Sequence, residues 1–382
     1  MLADLVQTFR LDQAWGPFRL FTSFVVLMGL GAGLGLFVVG FGLPRTWSRL
    51  PRDRGRLHTG KDGEAAVGKP TGAGFQFVLM LMPVFLLVVP FHPRIYCVLG
   101  CLLLAMVTGW MDDRSYMPWG EYFKGSLDLI VAFLAALAFC MGQPVLMWLP
   151  LVKGDFLMPL WMFLPGATIL LWMTINATNC TDGVDGLAGS LTLLSLFFLA
   201  LFLYIVIGNQ DVANYLLVTH NPKGAHWAVL LTTAAGGLAG YLWHNAEPSR
   251  VLMGDAGSRF LGLLVGIAVL AAGNPFLILV VATVVLANGG SGIVKIATLR
   301  FFKKLGFDVR TPQQLKDAAA QNPGLAIPEQ HPVVTLLHKV RFPLHDHCRK
   351  NLKWSNPQVL LRFLLIQSFA TPLLFGLLVK IR

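Results

Sequence analysis

Charge is scarce in this 382-residue chain. Asp, Glu, Lys and Arg together make up 13% of it, about half the share found in ordinary soluble domains. That excludes a water-covered globule as the fold of the whole molecule. Acidic residues are scarcer still, 19 against 30 basic ones, so a carboxylate inside an apolar stretch calls for a reason. The five cysteines, Cys97, Cys101, Cys140, Cys180 and Cys348, form no C-x-x-C pair and show no Cys/His zinc spacing. A disulfide scaffold and a zinc module are therefore excluded, and core packing is left. Sustained apolar–polar alternation is missing too, and continuous apolar runs select helices over a barrel.

What is present instead is apolar length. Hydrophobic types fill 55% of the chain, and runs of about 20 residues recur, each long enough to cross a hydrocarbon core of roughly 30 Å. The expected fold is an all-α, polytopic integral membrane protein. Ten spans are predicted, at 19–42, 73–91, 94–111, 126–149, 156–175, 187–207, 227–243, 259–273, 275–298 and 358–380. The Gly-rich 227–243 and the pair split only by "AGNP" carry the weakest signals, although Gly and Pro are tolerated in spanning helices. The first run lacks a small-residue cleavage site and reads as a retained span. Residues 1–382 form one membrane-embedded domain on this reading.

The connecting segments alternate in charge. Segments 43–72, 112–125, 176–186, 244–258 and 299–357 hold seven, two, zero, one and ten Lys or Arg, while the opposite set holds only Arg94, Lys153 and Lys223. The positive-inside rule places the first set in the cytoplasm and both termini outside. The long basic segment 299–357 is a cytoplasmic loop on this scheme. The +11 net charge is absorbed by topology, so no nucleic-acid partner is expected.

Four polar motifs interrupt the apolar runs, and all fall on that cytoplasmic side. "GWMDDRS" holds Asp112 and Asp113. "NATNCTDGVDG" sets Asn176, Asn179, Asp182 and Asp185 three apart, with Gly183 and Gly186 between and after the aspartates. "VLMGDAGS" holds Asp255, and "FPLHDHCRKN" holds His345, Asp346 and His347. On a helix, residues three apart share a face, so the second motif reads as a drifting polar stripe suited to a base, a ribose and a metal-bound diphosphate. Carboxylates gathered at one interface repel, and a hard cation relieves them. Magnesium takes oxygen ligands, usually one or two carboxylates plus substrate phosphates. Histidine suits it poorly, so His345 and His347 are given to substrate phosphate or sugar. Taken singly, each motif also has a structural reading as a solvated turn, a helix cap or an incidental loop. Lys61 and Lys69 read chiefly as topology signals, with direct substrate contact as the sharper alternative. Lys295 reads as snorkelling to the cytoplasmic edge.

In this order, Asp-Asp, N-x-x-N-x-x-D-G-x-D-G-L-A, M-G-D-x-G-S and P-x-H-x-H, with "KPTGAGF" at 69–75 and "KWSNPQVLLRFLLIQ" at 353–367, the chain resembles the polyprenyl-phosphate N-acetylhexosamine-1-phosphate transferases over roughly residues 20–380. The resemblance is closest to the branch that works on a muramoyl donor. It implies a ten-span, Mg2+-dependent enzyme of the bacterial cytoplasmic membrane. That enzyme moves phospho-N-acetylmuramoyl-pentapeptide from a UDP-linked donor to undecaprenyl phosphate, releasing UMP and forming lipid I for peptidoglycan. Asp112, Asp113 and Asp255 match catalytic positions, with Asp255 as the metal aspartate. Asn176, Asn179, Asp182, Gly183, Asp185, Leu252, His345 and His347 fall at substrate-binding positions. The chain departs from the family at Asp346, where a middle histidine is usual, and at Leu252, where an aromatic usually faces uracil. It departs also at Glu121, where a lysine is expected, with Lys124 close by. A GlcNAc-1-phosphate transferase for another cell-surface glycan is the rival within the family. A cation-coupled transporter and a non-catalytic relative are the rivals outside the reaction. The expected chemistry is one in-line displacement, with a covalent phospho-aspartate at Asp113 as the alternative. Oligomeric state is not fixed by the sequence, and a homodimer is compatible with it.

Overall fold

The structure is a computed structural model, and it describes residues 2–53, 67–117, 119–152, 154–312, 314–315 and 330–380. Lys61 and, within the 299–357 segment, residues 313 and 316–329 lie outside the described residues. The principal helices are α1 (Phe24–Thr46), α2 (Ala73–Val88), α3 (Pro93–Arg114) and α4 (Glu121–Cys140). A hairpin of β1 (Val145–Trp148) and β2 (Asp155–Met158) follows, pairing Val145 with Met158 and Trp148 with Asp155. Then come α5 (Leu160–Thr181), α6 (Leu187–Ile207), α7 (Gly224–Asn245), α8 (Gly254–Ala271), α9 (Thr283–Lys304), α10 (Leu344–Lys350) and α11 (Asn356–Lys380).

Among the described residues, seven helices are long and apolar enough to cross a membrane: α1, extended to Arg49, with α3, α4, α5, α6, α8 and α11. Pro275–Val281 and α9 would count as an eighth span but are bent by 85° at the break between them. The chain is thus an all-α polytopic membrane protein. The remaining predicted spans fall on α2, which has only 16 residues, and on Gly-rich α7.

Several predicted boundaries need correction. Span 126–149 ends early, at Cys140, because Met141 and Gly142 both take positive φ and the chain turns into β1. Asn176–Gly186 is not a loop throughout: nothing breaks the helix before Gly183, so α5 runs on to Thr181. Likewise α3 continues to Arg114 and carries Asp112 and Asp113 in its last turn. The 299–357 segment contains the end of α9, a helix at Pro332–Lys339, and α10. Lys295 reaches toward the 299–357 segment. Its ammonium donates to the Val340 carbonyl at 2.9 Å and lies over the Phe342 ring.

The core is built around α8, 89% of whose apolar window is buried. Helices α2, α3, α5 and α6 pack around it. Close approach of α3 to α8 depends on Gly109, where an added Cβ would stand 2.4 Å from the Asp255 carbonyl oxygen and 2.6 Å from Ala256 Cα. The Gly-rich signal in α7 has a packing cause. Gly236 and Gly240 lie against the α1 backbone at Ala32 and Leu36, a small-residue contact of the kind that holds membrane helices together.

Candidate active site

Four helix ends meet at one end of the bundle: the C-termini of α3 and α5 and the N-termini of α4 and α8. Asp112, buried in the last turn of α3, places Oδ2 2.5 Å from Lys124 Nζ of α4 and 3.2 Å from Arg259 Nη2 of α8. Asp255, in the first turn of α8, places its Oδ2 3.5 Å from the same Lys124 and 3.3 Å from the same Arg259. Arg259 also pairs through Nη1 with Asp128 of α4 at 3.2 Å. Two carboxylates from different helices therefore converge on one ammonium and one guanidinium.

Asp113 does a different job. Its Oδ1 accepts from Asp255 N at 2.8 Å and its Oδ2 from Ala256 N at 3.0 Å. Helix N-termini leave amide donors unsatisfied, and here a carboxylate from α3 caps α8. Gly254 has φ +74°, and a Cβ on it would fall 2.5 Å from Asp113 Oδ2, so the cap needs glycine there. The cap fixes where Asp255 points. It also occupies both oxygens that the covalent alternative would need.

The Asn–Asp stripe divides in two. Asn179 donates to Ser258 Oγ at 3.1 Å and lies beside Asp255. Asn176 turns back to the Trp172 carbonyl and reaches Asp128. Beyond the end of α5 the three-residue spacing no longer means one face. Asp185 instead accepts from Ser249 N at 3.0 Å and lies 3.6 Å from Lys69 Nζ, which also donates to Ser249 Oγ. Asp182 stands in the turn between α5 and α6. Leu252 joins the same wall through its backbone, donating to the Pro70 carbonyl and accepting from Ala73 N. Its carbonyl and amide thus lock the "KPTGAG" segment beside Gly254.

His345 is buried at the start of α10. Its backbone N–H donates to Asn288 Oδ1 at 2.8 Å, and its Nδ1 lies 3.2 Å from the same oxygen. The backbone amide can only donate, so that atom is the amide oxygen, and Nδ1 must carry the proton. Nε2 is left with its lone pair, beside exposed Gly183, where an added Cβ would sit at 2.4 Å. Burial holds the imidazole pKa down at about 4, with Arg349 and Lys350 pushing the same way and Asp346 opposing. A neutral imidazole with a bare Nε2 accepts a hydrogen bond. It cannot donate one to a phosphate, so of the two expected contacts the sugar-type donor remains. His347 Nδ1 is engaged by Arg341 N at 3.3 Å, and among the described residues no contact ties it to the carboxylates. Asn288 itself lies in a π-helical turn, Leu286–Gly290 of α9, a distortion frequent at functional sites.

The low pKa has a testable sign. Below about pH 6.5 the unfolded imidazole takes a proton that the folded one refuses until about pH 4, so stability falls as pH drops through that window. Melting temperature should fall more steeply between pH 6.5 and 4.5 in the native chain than in His345→Asn. Parallel curves would show that His345 carries no such penalty.

Among the described residues no three His, Cys, Asp or Glu side chains form a ready-made metal cage. The donor set nevertheless fits a hard cation that arrives with phosphates, which needs only one or two carboxylates from the protein. Among the described residues, Asp112, Asp128 and Asp255 gather around two cationic side chains, Lys124 and Arg259, with Asp113 beside them on the α8 amides. The carboxylates outnumber the cations there, which suits an added cation. A cavity of about 270 Å³ opens elsewhere, at the far ends of α3, α4 and α8 beside Arg94, Phe139 and Ala271–Gly273. It takes no part in this cluster.

Sequence reasoning alone misses Arg259 and Asp128. Each lies one helical turn after a residue that the motifs do bring forward, Asp255 and Lys124 respectively. That i,i+4 pairing of opposite charges inside apolar runs was the available signal.

Residues 95–273 match the family model described as Glycosyl transferase family 4. The chain is 43% identical over 375 residues to phospho-N-acetylmuramoyl-pentapeptide-transferase of Treponema pallidum, strain Nichols, covering 96% of this chain and 94% of the relative. It is 29% identical over 293 residues to the protein of the same name from Leptospira biflexa, covering 67% of this chain and 76% of that one. With the first identity spread over nearly its whole length, and with the carboxylate cluster assembled within the matched region, the chain belongs to the phospho-N-acetylmuramoyl-pentapeptide-transferase family.

Proposed function

We propose that this protein transfers phospho-N-acetylmuramoyl-pentapeptide from its UDP-linked donor to undecaprenyl phosphate, forming lipid I and releasing UMP, at the cytoplasmic face of a bacterial inner membrane. The observation that carries the site assignment is the convergence of Asp112 and Asp255 on the shared cations Lys124 and Arg259 at one end of the bundle. Lys69, paired with Asp185, and Arg300, paired with Glu121, come from the basic connecting segments and lie at that end, which supports the cytoplasmic assignment. A cytoplasmic nucleotide and the headgroup of an inner-leaflet lipid phosphate can both reach it. Residues 1–382 act as one transferase unit on this reading, with ten membrane passes and both termini outside.

The reaction is one displacement. An oxygen of the lipid phosphate forms a bond to the sugar-bearing phosphorus of the donor, the bond from that phosphorus to the UMP oxygen breaks, and UMP leaves with the electron pair. A phosphate monoester has a second pKa near 6, so the nucleophile is mostly ionised at neutral pH and little base strength is required. Asp112 is already held by two cations, both on Oδ2, and their charge weakens it as a proton acceptor. Its role is to position those cations against the lipid headgroup. The harder problem is anion meeting anion, which positive charge aimed at the phosphates relieves. Lys124 supplies such charge from a partly exposed position. Asp255, with Asp112 beside it, would hold a Mg2+ ion, which would supply Lewis-acid stabilisation of the charge on the diphosphate and on the departing UMP. Asn179 keeps the Asp255 carboxylate in place. The Lys69–Asp185–Ser249 wall with Gly183 and Leu252 forms the nucleoside side, and Nε2 of His345 accepts from a sugar or amide donor.

Donor choice tests the substrate assignment. With undecaprenyl phosphate in excess, purified protein should release UMP from UDP-N-acetylmuramoyl-pentapeptide and at least a hundredfold more slowly from UDP-GlcNAc. The reverse order would assign the protein to another surface glycan.

A further inference from the structure

The side chain that the reaction scheme leaves least explained is Arg259. It is 1% exposed, in the most buried helix of the molecule, and its guanidinium touches three carboxylates: Asp112 at 3.2 Å, Asp128 at 3.2 Å and Asp255 at 3.3 Å. Burying an arginine is costly unless it is paired, and pairs of this kind are replaceable by apolar side chains as far as stability goes. Nor does the pairing saturate the group, since Nε and Nη1 lack hydrogen-bond partners of good geometry. Asp128, itself 4% exposed, grips the side of the guanidinium away from Asp112 and Asp255. The charges alternate along two facing helices, Lys124 and Asp128 on α4, Asp255 and Arg259 on α8. Lys124 is partly exposed, with 31% of its side chain open to solvent, and can swing toward a substrate phosphate. Arg259 cannot.

We propose that Arg259, anchored by Asp128, is a resident counter-cation of the Asp112–Asp255 pair with two effects. Its Nη2 meets both carboxylates while Nη1 stays on Asp128, and this fork-shaped grip holds the two in register, making it a positioning residue. Its fixed positive charge also lowers the pair's affinity for a divalent cation, so the ion binds well only together with the phosphates of the donor and leaves with the nucleotide product. This rests on the proposed transferase reading. A bare pair of carboxylates would hold the ion between turnovers, and the low dielectric around Arg259 makes its opposition strong.

The two effects have opposite signs in one experiment. Arg259→Met alone would strand Asp128 as an unpaired buried charge, so the pair is removed together as D128N/R259M, in the full chain in detergent or nanodiscs. Mn2+ is the probe, its binding read from the free-ion paramagnetic signal with no nucleotide present. The double variant should bind Mn2+ about tenfold more tightly than the native protein while its UMP release falls at least tenfold. R259K, which keeps the charge and loses the fork, should bind Mn2+ within about threefold of native and still lose turnover about tenfold. A merely structural role would weaken ion binding and turnover together. Unchanged or weaker Mn2+ binding in D128N/R259M overturns the electrostatic claim, and native turnover in R259K overturns the positioning claim. The underlying reading fails separately. If Mn2+ binding tightens in D128N/R259M but the native protein releases no UMP from the muramoyl donor, the substrate assignment is wrong and the counter-cation stands. If D255N binds Mn2+ as well as native protein, the ion is not at this site and the counter-cation falls with it.

Discussion

Asp255→Asn is expected to lower UMP release about a thousandfold while leaving the melting temperature within a few degrees of native. The substitution is isosteric and keeps the backbone N–H that Asp113 caps. It removes the charge that faces Lys124 and Arg259 and that would hold the divalent ion. Loss of one preorganised electrostatic contact at a phosphoryl or acyl centre costs roughly a hundred- to thousandfold, and a displaced metal puts this variant at the upper end. Raising Mg2+ should rescue little, because the missing ligand and not its occupancy limits the rate. Turnover within tenfold of native would remove Asp255 from the chemistry.

Asp113→Ala is the second large effect, and it acts by another route. Both carboxylate oxygens of Asp113 are spent on the amides of Asp255 and Ala256. Losing a helix cap costs about 1–2 kcal/mol, and the freed amides would stand beside the site without their acceptor. Melting temperature should therefore fall by several degrees, and UMP release about a hundredfold as Asp255 loses its fixed direction. Asp113→Asn, which keeps one good acceptor, should recover part of both. If Asp113 were a covalent nucleophile, labelled donor without lipid acceptor would leave label on the protein, and Asn would be as inactive as Ala. The capped geometry predicts no persistent label and a graded series.

Much of this was legible in the chain. In an apolar sequence with few acids, Asp112, Asp113 and Asp255 stand out because each is costly near lipid, and all three meet at one helix-end cluster. Their individual roles were not legible. Whether an aspartate at a helix end caps a neighbouring helix or faces a substrate depends on which backbone amides arrive beside it, and "DD" cannot say that. The equal spacing of Asn176, Asn179, Asp182 and Asp185 suggested one continuous face. The helix stops at Thr181, so Asn179 turns to Asp255 and Asp185 to Ser249 and Lys69. Arg259 stood at the predicted start of a span, where a basic residue ordinarily marks topology, and Asp128 lay just inside another. Only tertiary packing reveals that the two neutralise each other. The hairpin at 145–158 was hidden for a different reason: its apolar strands extend the hydrophobic runs on either side, and only the turn residues between them interrupt the pattern.

The central claim is that the Asp112–Asp255 cluster carries out metal-assisted transfer of a phosphosugar to a lipid phosphate. Its most direct test is the stoichiometry of products made by the purified protein from UDP-N-acetylmuramoyl-pentapeptide and undecaprenyl phosphate. The account predicts UMP and the lipid-linked muramoyl-pentapeptide diphosphate in equal amounts, abolished by chelator, restored by Mg2+, and formed about a thousandfold more slowly by Asp255→Asn. Release of UMP without lipid-linked product, or product formation within tenfold of native in Asp255→Asn, would contradict it.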